Sequence, residues 1–173
     1  MRKLILYICI LSTTLGFGQV EFSITEAGMT PESVSSKMGD FTVKELYSKT
    51  LSWIKENSET HNLTIDHTVE NASIHISFLK GNATNLDKRY YNANYIVNLS
   101  FGKEQFTFEP IGIRLKLNSK YDMGWKEFDL SNGAPYFKKG KAIRKYKSYL
   151  EGITKSLNAF YLMLHIHLKS EEN

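Results

Sequence analysis

The chain reads as an α+β protein with a five-stranded antiparallel sheet, in the order β-α-β-β-β-β-α, carrying both helices on one face. Three observations predict this. Apolar and polar residues alternate with a period of two through much of residues 63–117. Residues 143–168 place apolar side chains at spacings of three and four. Ahead of both, Thr42 with Glu45 three residues on has the form of a capping box opening a first helix.

Taken in order, Val20, Phe22 and Ile24 alternate with Glu21 and Ser23, which predicts a short first strand. Residues 25–41 are rich in Gly, Ser, Thr and Pro and read as a loop. The first helix follows Thr42, buries Leu46, Thr50, Trp53 and Ile54, and is expected to fray near Asn57. A hairpin comes next. Leu63, Ile65, His67 and Val69 share one face of its first strand, and Ile74, Ile76 and Phe78 one face of its second. A two-residue turn at Asn71-Ala72 would pair Glu70 with Ser73 and bring both apolar sets together.

A longer hairpin follows. Tyr91, Ala93, Tyr95, Val97, Leu99 and Phe101 form its inner face, while Asn92, Asn94, Asn98 and Ser100 face water with Ile96 as the exception. After the Gly102 to Gln105 turn, Phe106 and Phe108 are followed by Ile111, Ile113, Leu115 and Leu117. That change of parity predicts a bulge or bend at Pro110. Residues 118–140 hold no sustained period and read as a long loop. Ile143, Tyr146, Leu150, Ile153, Leu157, Phe160, Leu164 and Leu168 then mark a long amphipathic helix.

The N-terminus has the grammar of a secretory signal. Arg2 and Lys3 precede an uncharged run from Leu4 to Phe17, and Gly16-Phe17-Gly18 supplies small residues before a cleavage at Gln19. The run is shorter than the roughly 20 apolar residues that span a bilayer. Residues 1–18 are therefore expected to be a signal peptide and residues 19–173 a single exported domain, without a membrane span in the mature form. Cys9 is the only cysteine and lies in the signal, so the mature chain has no disulfide and no thiol chemistry. Loss of Arg2 and Lys3 takes the formal charge from +4 to +2. The charge is uneven along the chain: residues 19–79 are acidic on balance and residues 80–147 strongly basic.

The short strand after the signal, the Thr42-Val43-Lys44-Glu45-Leu46-Tyr47-Ser48-Lys49 helix start and Trp53 resemble a known pattern. So do the Tyr90-Tyr91 strand, the Phe101-Gly102-Lys103 turn and the closing helix. Together they are similar to an exported bacterial family of unknown function, domain of unknown function 4468, whose fold is like one repeat of the TATA-box-binding protein. The likeness runs over about residues 20–165. The aromatic-rich segment 118–140 and the basic start of the last helix depart from it. It implies a TATA-box-binding-protein-like fold and a bacterial host, and it transfers no activity. Likeness to a DNA binder does not imply DNA binding, because function lives in sites, and an exported protein is not expected to meet nucleic acid.

The sequence holds no Gly-x-Ser-x-Gly elbow, no His-Glu-x-x-His pair and no phosphate-binding glycine loop. His67 is expected in the core and His75 on the wet face. His165 and His167 lie roughly 200° apart on a helix, so one ion cannot bind both. No catalytic residue, metal ligand or cofactor is assigned. Two features remain as binding candidates. Lys138, Lys139, Lys141, Arg144, Lys145 and Lys147 crowd the expected start of the last helix, where an anion could be held. Just before them, the 118–140 loop carries Tyr121, Trp125, Phe128, Tyr136 and Phe137. Trp125, Tyr136, Lys141, Arg144 and Lys145 are the residues singled out. The expected function is a non-catalytic binding module of the cell envelope, acting through its wet sheet face or this loop, with an envelope protein or anionic glycan as partner. The alternatives are a hydrolase of envelope polymers and a structural subunit of an envelope assembly.

Overall fold

The computed structural model describes residues 21–121 and 124–170; the expected signal peptide and its cleavage site at Gln19 lie outside them. The elements run β1 (Ser23–Thr25), β2 (Gly28–Thr30), β3 (Val34–Lys37), α1 (Val43–His61), β4 (Leu63–Val69), β5 (Ser73–Leu86), β6 (Arg89–Gly102), β7 (Gln105–Leu117), β8 (Lys126–Phe128), β9 (Phe137–Lys138), β10 (Lys141–Ala142) and α2 (Lys147–Lys169). The main sheet has the order β3-β7-β6-β5-β4, and β8 adds a sixth strand beside β7. Every pairing in it is antiparallel.

The count of six corrects the expected five, and the strand leading into the sheet is a different one. Residues 25–41, read as loop, contain β2 and β3. Val34 and Ser36 turn inward, and β3 pairs with β7 from Val34↔Phe108 to Lys37↔Gln105. The expected strand at 20–24 is described only from Glu21 on. Its part, β1, pairs with β2 and is docked on α2 instead of the sheet. The Asn158 amide does this: it accepts from Phe22 N at 2.8 Å and donates to Phe22 O at 2.9 Å, imitating a neighbouring strand. β3 and β8 then share the outer edge of β7, one along each half.

The capping box forms as read. Thr42 Oγ1 accepts from Glu45 N, and Glu45 Oε2 accepts from Thr42 N. The helix does not fray at Asn57. It runs a further turn to His61, Asn57 donates back to the Trp53 carbonyl, and Asn62 closes the helix in the left-handed conformation. α2 starts later than its apolar period suggests, because Ile143 is extended and Arg144–Tyr146 form a 3-10 turn ahead of it.

One core joins the two helices to the inner sheet face. Trp53 of α1 and Phe160 of α2 meet at 5.9 Å, and Phe160 stacks on Phe78 at 4.3 Å, which stacks on Tyr95 at 4.6 Å. Burial of such rings supplies much of the folding free energy, at about 25 cal/mol per Å². The segment after β8 also lies on this side: Phe128 is buried, and Tyr136 stacks on it at 5.6 Å.

Candidate functional site

The opposite face of the sheet is covered by no element among the described residues, and its side chains are set by register. Three bulges decide which ones. In the first hairpin the loop has three residues, Glu70-Asn71-Ala72, with Asn71 left-handed, and Val69 pairs with Ser73 in place of the expected Glu70–Ser73 pair. The register then slips between Ile65 and His67. Asp66 is the extra residue, so Ile65 and Leu63 still face the core while His67 and Val69 do not. His67 is therefore exposed, a correction to its expected core position. In β7 the slip comes at Ile111: Ile96 pairs with Gly112 and Val97 with Pro110. The predicted bulge is thus real, but Pro110 is buried and Ile111 is the displaced, exposed residue. In β5 the third bulge lies between Lys80 and Thr84, held by Asn92 Oδ1 on Asn82 N and by Asn118 on Asn82.

With these bulges in place the open face carries transverse rows of polar groups. Ser73, Ser100, Thr107 and Ser35 form a row of hydroxyls across β5, β6, β7 and β3, closed by a 2.8 Å hydrogen bond between Ser35 and Thr107. The next row is His67, His75, Asn98 and Glu109 across β4 to β7. Asn98 Nδ2 donates to Glu109 Oε2 at 3.0 Å, and Asn98 Oδ1 is buried with no protein hydrogen-bond partner. Ile96 follows, lying over Gly112, where a Cβ would meet it at 3.2 Å. Beyond it Arg114 pairs with Glu127 of β8, Nε to Oε1, at 2.7 Å. A buried acceptor without a partner is uncommon and calls for a donor.

The predicted site residues do not come together at one point. Trp125 is 44% exposed and immediately precedes β8, at the corner of the open face where Arg114 and Glu127 pair. Tyr136 points the other way, half-buried between Phe128, Tyr146 and Tyr149, and burial raises its phenol above the ordinary value. Lys145 lies over the Tyr146 ring, 4.6 Å from its centroid. Lys141 belongs to the β9–β10 hairpin, whose turn residues Lys139 and Gly140 are both left-handed. Arg144 is exposed in the 3-10 turn. The basic stretch is therefore divided: Lys138, Lys139 and Lys141 belong to the β9–β10 hairpin, Arg144 and Lys145 to the 3-10 turn directly ahead of α2, and Lys147 opens α2, its ammonium pairing with Glu151. Lys141 and Lys147 do line a common groove of about 410 Å³ with Phe137 and Glu151.

The other histidines serve packing. His61 stacks on Trp53 and His167 approaches the same indole at 5.8 Å. His165 lies by Phe106 and Tyr161; burial, with Lys169 nearby, lowers its pKa. Among the described residues no three His, Cys, Asp or Glu side chains converge as a metal position, and no helix is long and apolar enough to cross a membrane.

Comparison of the sequence with family models and with curated proteins finds no match. Among solved structures, a TBP-like protein from Parabacteroides distasonis matches with a TM-score of 0.59 at 12% identity, over 81% of this chain and 92% of that one. A DUF4468 family protein from Bacteroides ovatus matches with a TM-score of 0.63 at 10% identity, over 82% of this chain and 86% of that one. At such identities the likeness is one of fold, and on that ground the chain resembles the TATA-box-binding-protein-like proteins of the DUF4468 kind.

Proposed function

We propose that this is an exported, non-catalytic binding module of the bacterial cell envelope, and that the open sheet face is its recognition surface. The observation that carries the reading is the set of polar rows with Asn98 Oδ1 buried and unpaired. A face that offers hydroxyls, imidazoles, amides and a paired guanidinium, but no enclosing cleft, suits an extended polar polymer or a protein surface. Trp125 at its corner adds an aromatic platform of the kind that stacks on sugars. The signal-like N-terminus supports export, and the two structural relatives come from bacteria.

Two measurements test this. The full chain is expressed in a bacterial host, fractionated, and its N-terminus sequenced; a mature protein in the envelope fraction beginning at Gln19 is expected, and an intact N-terminus in the cytoplasm refutes export. The purified domain is then sedimented with envelope polysaccharide and with envelope protein extract. Asn98→Leu and Trp125→Ala should release it from the polymer or partner while leaving the circular dichroism spectrum unchanged. Retention by both variants at wild-type level removes the face as the binding surface.

A further inference from the structure

His67 and His75 sit directly opposite each other on β4 and β5, on the uncovered face, with ring centroids 5.9 Å apart and planes at 87°. Their meeting depends on the Asp66 bulge, without which the two would lie on opposite faces of the sheet. Metal–imidazole bonds of roughly 2.0–2.1 Å place the centroids of two rings on one ion roughly 4.5–6.4 Å apart, for angles from square to linear. The observed separation falls within that range. The present edge-to-face arrangement needs one ring to turn about its χ2, a soft torsion for a side chain exposed to water.

The surroundings favour a cation. The charged side chains nearest the pair by register are acidic: Asp66, which accepts from Ser77 Oγ at 3.1 Å, and Glu109 at the end of the same row. The flanking rows hold Val69 and a line of hydroxyls on one side and Thr64, Ser77, Ile96 and Gly112 on the other, with no Lys or Arg among them. Imidazole nitrogens select copper, nickel and zinc over magnesium and calcium, and copper binds most tightly of the series.

We propose that His67 and His75 chelate a single divalent transition-metal ion on the open face, Cu(II) ahead of Zn(II), with water completing its coordination. The site stands whether or not the same face binds a polymer. Asp66 and Glu109 lend negative charge without reaching the ion as direct ligands, in keeping with the lack of a third convergent ligand among the described residues.

The test is calorimetric titration of the tag-free protein with CuCl2 and with ZnCl2, with MgCl2 as the control. One ion per chain is expected for copper and, more weakly, for zinc, with none for magnesium. Because the second imidazole acts at high effective concentration, His67→Ala and His75→Ala should each weaken copper binding by about tenfold or more. His61→Ala, on the helix side, should not change it. Electron paramagnetic resonance of the copper form should show two nitrogen ligands in the wild type and one in either variant. His67→Gln and His75→Gln repeat the measurement with side chains closer in bulk to His, should an alanine disturb the hairpin. Absence of copper uptake by the wild type, or uptake unchanged in either variant, overturns the proposal.

Discussion

Gly152 of α2 lies directly on Thr84 of β5: a Cβ at residue 152 would stand 2.6 Å from Thr84 Oγ1 and 2.8 Å from the Ala83 carbonyl. The hydroxyl is committed at this crossing, since Thr84 Oγ1 donates to the Tyr149 carbonyl at 2.6 Å. The contact fixes how closely the helix approaches the strand beyond its bulge. Gly152→Ala should therefore destabilise the protein, although alanine favours a helix by about 1 kcal/mol. Overpacking against backbone costs about 1–3 kcal/mol, so a net loss of about 1 kcal/mol is expected. Urea unfolding should show a lower midpoint with an unchanged slope.

Tyr95 provides a second tie between sheet and helix. Its hydroxyl is buried and donates to the Ile153 carbonyl at 2.9 Å, and desolvation pushes its pKa up to about 12. The unfolded chain ionises this phenol near 10, so its contribution is complete below that pH. It is lost as the pH rises from about 10 to about 12, by about 3 kcal/mol. Tyr95→Phe should cost about 1 kcal/mol at neutral pH and make the alkaline fall in stability shallower. Thermal melts between pH 8 and 11.5 measure both.

His165 acts at the other end of the pH scale. Burial lowers its pKa, and its Nδ1 is buried without a hydrogen-bond partner. The folded state therefore resists protonating it while the unfolded chain does not. Its contribution is full above the ordinary histidine value and falls away as the pH drops through that value towards the lowered one. His165→Phe should flatten the melting temperature between pH 7.5 and 5 relative to wild type. An equal slope in the variant would assign the acid sensitivity elsewhere.

The bulge in β7 makes a prediction of a different kind. With Ile111 removed, Phe106, Phe108, Pro110, Ile113 and Leu115 would fall in one unbroken alternation, and each would keep its present partner on β6. Deletion of Ile111 should leave a folded protein. Deletion of Arg114 should not, since it turns Leu115 to water and leaves the earlier parity uncorrected. Proteolysis and circular dichroism of the two deletions distinguish them.

These residues also show how far the fold could be read in advance. The capping box at Thr42 and Glu45, the inner face of β6 and the α2 stripe from Leu150 to Leu168 were legible because each rests on neighbours a few positions away. β3 was not, because Val34–Lys37 is only four residues long and its pairing with β7 crosses about 70 positions of sequence. The candidate site was half legible. Asn94, Asn98 and Ser100 announced a wet face, and the parity change near Pro110 announced a bulge. The Asp66 bulge left no such sign: Asp66 falls on the polar phase of the alternation from Leu63 to Val69, and only the pairing with β5 makes it the extra residue.

Sequence alone determined the export-like N-terminus, the absence of a thiol beyond residue 18, the alternation that makes one sheet face wet, and the faces of both helices, since periodicity and composition are local properties. Tertiary structure decided where β1 docks, that Tyr136 packs inward while Trp125 stays exposed, and that His67 crosses from the core side to stand opposite His75. The reason is physical. A bulge of one residue costs little locally, but it reverses every side chain beyond it, and only the partner strand determines where that reversal falls.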